Sequence, residues 1–181
     1  ATVGRYLRYT GSDSRLCIAE PEGAAFAAGW RDGDRDARAS RATCIEGIGR
    51  ARVEPCFAFE LADAVVEVPD AASIAGAWML ARWTGRRFGG SSGTNLVAAL
   101  RLAQQMDERG EKATIVLLLC DRGDRYADTI YAPGWLASRD LHLAPWLERL
   151  QQLALSAARE RLPIRCVEAA ARQGAVRAAH G

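Results

Sequence analysis

The sequence predicts an α/β protein in which a mostly parallel sheet carries helices on both faces. Strand-like and helix-like patterns alternate along the chain with short connections, as in βαβ units. The run Thr114–Cys120 is almost wholly apolar, which is typical of a strand covered on both sides. With 181 residues, of which 49% are hydrophobic and 25% charged, the chain is long enough to bury a core.

The first third of the chain predicts a helix, a strand and an exposed loop. Segment 2–9 places two apolar residues four apart, as on one face of a helix. The short apolar run Leu16–Glu20 is closed by Pro21 and predicts a buried strand. Residues 28–42 are rich in charge, glycine and serine, so they are expected to form an exposed loop.

The middle of the chain predicts a strand that leads directly into a helix. Residues Ala64–Val68 are mostly β-branched, and Pro69 ends the run. Asp70 is a candidate helix N-cap. The following helix begins at about Ala71, presents an apolar stripe, and stops at Gly85, which supplies a left-handed conformation.

The last part of the chain predicts two more helices around the Thr114–Cys120 strand. Residues 89–93 read as a glycine-serine loop before a helix with apolar residues on one face from Leu96 to Met106, which Gly110 ends. An apolar stripe after Pro145 predicts a final helix. Residues 156–181 are expected to be a loosely attached tail.

Composition disfavours several classes of function. The net charge is only +2, and the arginines alternate with acids, so no nucleic-acid partner is expected. Five cysteines without CxxC spacing and two histidines indicate no metal site and no disulfide framework. No apolar run is long enough for a membrane span and no targeting segment is evident, so a cytoplasmic protein is expected.

Three glycine-containing turns are expected to leave the predicted sheet at the ends of its strands. They are 46–50, 89–95 and 120–126. Ligands of α/β sheets bind at the carboxyl ends of the strands, so these turns are candidates for one site. Each is weak alone, since a serine before a helix is most often a cap. A glycine-lined turn at a helix N-terminus suits an anionic or planar aromatic ligand. A nucleotide site is disfavoured, because neither GxGxxG nor a P-loop lysine is present.

The three turns together resemble the C-terminal domain of the cysteine synthase and cystathionine β-synthase family, which are fold type II enzymes that use pyridoxal 5'-phosphate (PLP). The pattern is a Gly-Ile-Gly loop, then a serine-rich turn before a helix, then an apolar strand ending in acid, glycine, acid, arginine and tyrosine. It covers residues 1–155, which the resemblance implies are a PLP-binding α/β domain. The residues from Ala1 are similar to the helix that follows the phosphate loop of the family.

The resemblance also implies the residues that contact the cofactor. The hydroxyl of Ser91 would hydrogen-bond the pyridine nitrogen, while the Gly-Ile-Gly backbone would line the substrate side. Asp121 would help to fix the serine turn, although a plain turn after a strand explains it equally well. The implied cofactor-binding residues are Ser91, Gly90, Gly47, Ile48, Gly49 and Asp121.

No residue of this chain is assigned a catalytic role, because the resemblance implies that the lysine carrying PLP lies upstream of Ala1. The sole lysine, Lys112, stands in a polar turn at the amino end of the predicted strand, away from the expected cofactor. The chain alone is therefore expected to be inactive.

For the parent protein, the resemblance implies a homodimer that takes a small amino-acid substrate. The implied reaction is β-replacement or β-elimination on O-acetylserine or cysteine. Cys120 stands where the family often has proline, and together with Glu46 and Arg50 it favours a cysteine desulfhydrase-like member. The alternative from another class is a catalytically inactive binding or regulatory domain.

Overall fold

A computed structural model describes residues 1–155 and 165–168 of the chain. Two short 3₁₀ turns, at 59–61 and 124–126, lie between the longer elements. In chain order the elements are α1 (Thr2–Tyr9), β1 (Cys17–Pro21), α2 (Ala25–Asp32), β2 (Ala64–Val68), α3 (Asp70–Thr84), α4 (Gly90–Glu108), α5 (Pro133–Ala137), α6 (Ala144–Leu155) and β3 (Arg165–Glu168).

The three described strands form one sheet in the order β1-β2-β3. Strands β1 and β2 run parallel with Ile18 opposite Val65, whereas β3 is antiparallel to β2 with Val167 opposite Val65. The sheet is therefore mixed. Both strand predictions in this region are confirmed, β2 with the predicted bounds and β1 displaced by one residue.

Helices cover both faces of β2, as predicted. Because successive side chains of a strand point to opposite faces, Val66 and Val68 pack into a cluster with α3, α4 and α6, which includes the fully buried Leu150. Val65 packs on the other face with α2 and the phenylalanines of segment 57–59. All five residues of β2 are buried, so the strand lies in the core of the molecule.

The helix predictions hold where an apolar stripe and a glycine stop coincide. Helix α1 spans the predicted segment 2–9, and α6 follows the stripe near Pro145. Gly85 and Gly110 both have positive φ, 70° and 66°, directly after α3 and two residues after α4 respectively. Only glycine adopts these left-handed conformations without steric cost.

The prediction that 28–42 is entirely an exposed loop is wrong over its first residues. Helix α2 extends to Asp32 and buries Ala25, Ala27 and Trp30 against the second face of the sheet. The Trp30 indole N–H donates a hydrogen bond to the Phe59 carbonyl at 3.0 Å. Burial of the face that carries Trp30 stabilises the helix despite the many charged residues of the segment. Those charged residues lie on the solvent side of the helix.

The predicted strand Thr114–Cys120 is not a strand in the structure. Residues 114–119 make no backbone–backbone hydrogen bond with any other described residue. Leu117 packs on the core, but Val116 is 90% and Leu118 71% exposed. A strand needs a neighbour for its ladder, and within 1–155 and 165–168 no other strand lies beside this run, so its apolar pattern finds no partner.

Two further local predictions require correction. Residues 89–93 are not a loop, since α4 begins at Gly90 and takes up Ser91, Ser92 and Gly93 in its first turn. Asp70 is not an N-cap, because Pro69 occupies that position and Asp70 is the first residue of α3. Of the predicted tail, 165–168 form β3, and 156–164 and 169–181 lie outside the described residues.

None of the described helices is long and apolar enough to cross a membrane. Likewise, the described part of the chain contains no group of three or more His, Cys, Asp or Glu side chains that could hold a metal ion.

Candidate functional site

Asp70 anchors the first of the three turns to the start of α3. This aspartate is 7% exposed, and its two carboxylate oxygens accept hydrogen bonds from the Thr43 hydroxyl and the Cys44 N–H, each at 2.7 Å. The Thr43 oxygen in turn accepts from the Ile45 N–H at 3.0 Å. The segment entering the Gly-Ile-Gly loop is thus tied to the helix that follows β2.

The Gly-Ile-Gly loop bends sharply beside the end of β1. Gly47 and Gly49 have φ values of +86° and +75°, a region that favours glycine. A Cβ on Gly49 would stand 2.6 Å from Thr43 and 3.0 Å from Pro21, the last residue of β1. Ile48 points into the cluster formed around Ile45. The loop therefore lies at the carboxyl end of the sheet, where the sequence predicts a site.

The second turn is the first turn of α4, and it faces the first. A Cβ on Gly90 would meet two Ile45 carbons at 3.2 and 3.3 Å, so glycine permits this close approach. Ser91 is 7% exposed, and its hydroxyl makes no hydrogen bond with another described residue. Ser92 is differently engaged, because its hydroxyl accepts the Cys120 N–H at 2.9 Å.

The third turn is joined to the second through Asp121. The Gly89 N–H donates to the Asp121 carbonyl at 3.2 Å, and the Tyr126 hydroxyl donates to the Asp121 carboxylate at 2.7 Å. The second carboxylate oxygen, Oδ1, is buried and has no hydrogen-bond partner among the described residues. A Cβ on Gly89 would collide with this oxygen, so the carboxylate lies directly against the backbone that leads into α4.

An ion pair joins the third turn back to the first. The Arg125 guanidinium lies 3.4 Å from the Glu46 carboxylate, and Tyr126 packs in the same cluster as Ile45 and Ile48. The structure thus brings the three predicted turns into mutual contact beside the carboxyl end of β1.

Two weak acids near the site remain protonated at neutral pH. Burial, followed by the hydrogen bond and charge of Asp70, raises the pKa of the Cys44 thiol to about 12. Burial, followed by its contact with Asp121, raises the pKa of Tyr126 to about 12 as well. Cys44 is therefore a poor nucleophile, and Tyr126 serves as a hydrogen-bond donor to Asp121.

Asp70, predicted only as a helix cap, instead holds the Thr43–Cys44 segment. Its position directly after a strand that ends at Val68 was the available signal, because side chains there lie at the ligand edge of the sheet. The partner in the loop, Thr43, carries no such signal, since its approach depends on the long connection between α2 and β2.

The residues of the three turns fit a planar aromatic cofactor with a ring nitrogen. Ser91 is a nearly buried residue whose hydroxyl has no hydrogen-bond partner in the described part of the chain, and Asp121 offers a buried oxygen without one. Buried polar atoms normally have hydrogen-bond partners, so the unpaired Asp121 oxygen, which lies against the backbone leading into α4, marks this turn as a candidate ligand-binding environment. The glycines keep Cβ atoms out of the same space. Lys112 is exposed and stands at the opposite end of segment 112–120 from Asp121.

Known proteins that are similar to this chain agree with a site for PLP. The family described as "Pyridoxal-phosphate dependent enzyme" matches residues 1–121. The L-cysteine desulfhydrase Cds1 of Mycobacterium tuberculosis is 45% identical over 141 residues, covering 78% of this chain and 38% of that protein. Cysteine synthase 1 of Neurospora crassa is 29% identical over 144 residues, with the same coverages, 78% and 38%.

Among solved structures, O-acetylserine sulfhydrylase isoform 3 from Entamoeba histolytica is similar in fold, with a TM-score of 0.64 at 24% identity. That match covers 83% of this chain and 40% of the Entamoeba chain. The chain thus spans about two fifths of the length of the relatives it matches.

Proposed function

Since the chain belongs to the pyridoxal-phosphate dependent enzyme family, we propose that it is the C-terminal, cofactor-contacting part of a PLP enzyme of cysteine metabolism. The proposed reaction is β-elimination from L-cysteine, of the desulfhydrase type, with β-replacement on O-acetylserine as the related alternative. The 45% identity to an L-cysteine desulfhydrase, against 29% to a cysteine synthase, favours the elimination.

The observation that carries the proposal is the contact between the Ser91 turn and the Gly47–Gly49 loop. Ile45, just before that loop, lies against Gly90, while the Gly89 N–H donates a hydrogen bond to the Asp121 carbonyl. Residues 1–155 are proposed as the cofactor-binding part of the domain. The whole protein is proposed to be a cytoplasmic homodimer, which rests on the family resemblance alone.

Bound PLP supplies the electron sink for loss of the sulfur substituent from the β-carbon of the amino acid. The Ser91 hydroxyl is proposed to donate to the ring nitrogen, and as a neutral partner it does not hold a proton there. A weaker sink suits loss of a β-substituent. The backbone of Gly47, Ile48 and Gly49 would line the substrate side without side-chain bulk at the glycines.

Asp121 is proposed to hold the Ser91 turn in place from the side away from the cofactor. Its carboxylate is fixed by the Tyr126 hydroxyl, which is protonated at neutral pH and whose pKa is raised further, to about 12, by burial and by Asp121. The Glu46–Arg125 ion pair would keep the substrate loop near this anchor. The chain residues therefore orient the cofactor and the substrate, whereas the covalent chemistry belongs to the cofactor.

The test is a sulfide assay on the longest open reading frame that contains this chain. Sulfide release from L-cysteine without a second thiol supports desulfhydrase activity, while cysteine formation from O-acetylserine and sulfide supports the synthase. S91A is expected to shift the absorbance of bound PLP and to lower turnover about tenfold, in line with loss of one hydrogen bond of about 1.4 kcal/mol. Failure to bind PLP would instead support the inactive binding domain.

A further inference from the structure

A cleft of about 680 Å³ is lined by arginines and contains none of the residues proposed to contact the cofactor. Its volume is in the range of pockets that hold small molecules. Two segments form its walls, the turn after α3 and the loop that follows Asp121. The lining residues are Gly85, Arg86, Arg87 and Phe88 on one side and Arg122 and Asp124 on the other.

The backbone holds these two walls together. Phe88 and Arg122 form an antiparallel bridge, and the Gly123 N–H donates to the Arg87 carbonyl at 2.8 Å. A Cβ on Gly123 would stand 2.5 Å from the Cβ of Arg87, so the close contact requires glycine. The three arginines are therefore brought to one cleft by the fold rather than by spacing along a helix.

The cleft carries an excess of positive charge. Asp124 is its one carboxylate, and that group is 3.3 Å from the Arg122 guanidinium. The Arg87 guanidinium stacks over the Tyr131 ring, 5.0 Å from its centroid, and forms no ion pair with another described residue. The Arg86 guanidinium makes no hydrogen bond, ion pair or ring contact with another described residue.

We propose that this cleft binds a phosphorylated small molecule. A carboxylate is planar and is satisfied by one guanidinium fork, whereas a phosphate or pyrophosphate presents oxygens in several directions and accepts from forks on both walls. The site is lined by other residues than those proposed for the cofactor, so it is independent of the proposed function. Its walls lead directly into Gly89 and Asp121, and a ligand bridging them would stiffen the Ser91 turn.

The experiment is a calorimetric titration of residues 1–181 with inorganic pyrophosphate at low ionic strength. One site is expected, with an affinity that falls as salt is added, because the contacts are charged and exposed. The double variant R86A/R122A is expected to bind at least tenfold more weakly. R5A is the matched control, since Arg5 is an exposed arginine of α1, and it should bind like the wild type. Hydrogen exchange of residues 89–93 should slow when pyrophosphate is bound.

Several outcomes would overturn the site. The first is that pyrophosphate shows no saturable binding, and the second is that R86A/R122A binds it as tightly as the wild type. The third is that R5A loses as much affinity as R86A/R122A, which would indicate general charge attraction. Citrate serves as a carboxylate anion of comparable charge, and equally tight binding of citrate would refute the preference for phosphate. Circular dichroism and thermal unfolding check that the variants fold, which is expected because Arg86 and Arg122 are exposed.

Discussion

Glu20 and Glu67 are direct partners across the parallel pair β1–β2, and both are buried, with 2% and 8% exposure. Glu20 accepts a hydrogen bond from the Ala27 N–H in the first turn of α2, while its other oxygen, Oε2, has no hydrogen-bond partner among the described residues. The Arg31 guanidinium lies 3.7 Å from Glu67. Two acids thus lie side by side on adjacent strands in the core.

Stability is expected to fall as pH rises from about 4.5 to about 7. Burial first, and then the charge of Glu67, raises the pKa of Glu20 to about 7 from 4.5, against an opposing effect of the Ala27 hydrogen bond. Between these pH values Glu20 is protonated in the folded state and ionised in the unfolded state. Its contribution to the free energy of unfolding is therefore fully present below pH 4.5 and lost above pH 7. The upper limit of this contribution to the free energy of unfolding is about 3 kcal/mol.

Urea unfolding between pH 5 and 8 checks this expectation, with E20Q as the variant that cannot ionise. The unfolding free energy of E20Q relative to wild type should rise by about 2–3 kcal/mol over that range. E22Q, at an exposed carboxylate, should show no such trend. Parallel pH profiles for wild type and E20Q would contradict the assignment.

Gly93 is expected to tolerate no side chain. A Cβ there would overlap the Ser73 carbonyl and stand 2.5 Å from the Ala77 nitrogen, both backbone atoms of α3. G93A should therefore lower the free energy of unfolding by about 3 kcal/mol or more, as overpacking against backbone does. G134A in α5, with no atom within 4 Å of the added Cβ, is the control and should not lower the free energy of unfolding in the same denaturant titration.

Removal of the Asp70 carboxylate is expected to loosen the first turn of the site. D70A deletes two acceptors at 2.7 Å from the Thr43–Cys44 segment and should cost about 2–4 kcal/mol. Hydrogen exchange of residues 43–50 should speed up, whereas exposed D128A should leave it unchanged. Equal exchange in D70A and wild type would show that the loop is held by other contacts.

Segment 114–119 is expected to promote self-association of residues 1–181. Val116 and Leu118 are exposed beside backbone groups that have no ladder partner in the described regions. V116K and L118K should each reduce concentration-dependent light scattering, while Y9K, on exposed Tyr9 of α1, should not. If only Y9K reduces the scattering, the association surface is α1.

Lys112 is expected not to carry the cofactor. It is exposed at the far end of the segment from Asp121, and a solvated lysine is a weak nucleophile at neutral pH. Incubation of residues 1–181 with PLP followed by borohydride should leave no stoichiometric adduct at Lys112 by peptide mass mapping. A stable adduct there, absent in K112R, would reverse this expectation.

Local signals in the sequence predict those parts of the fold where the pattern and the tertiary contacts agree. The β-branched run of β2 and the glycine stop at Gly85 lie in well-covered elements, so their local preferences decide the outcome. Helix α2 was missed because its buried face depends on Trp30 meeting Phe59, almost thirty residues away. The Thr114–Cys120 run has strand propensity, but propensity does not supply a neighbouring strand.

For the candidate site, the three turns were predictable and the contacts between them were not. Glycines and serines at strand ends identify the turns, because these residues give close backbone approach. The Asp70–Thr43 and Asp121–Tyr126 hydrogen bonds depend on side-chain packing that no spacing in the sequence records.

The antiparallel pairing of β3 with β2 joins Ala64 to Glu168, roughly a hundred positions apart along the chain. During synthesis on the ribosome, β2 and β1 can therefore associate long before the residues of β3 emerge. The outer edge of β2 then stays open for several seconds, at about 5–20 residues per second, which is an interval in which chaperones or neighbouring nascent chains have access to it.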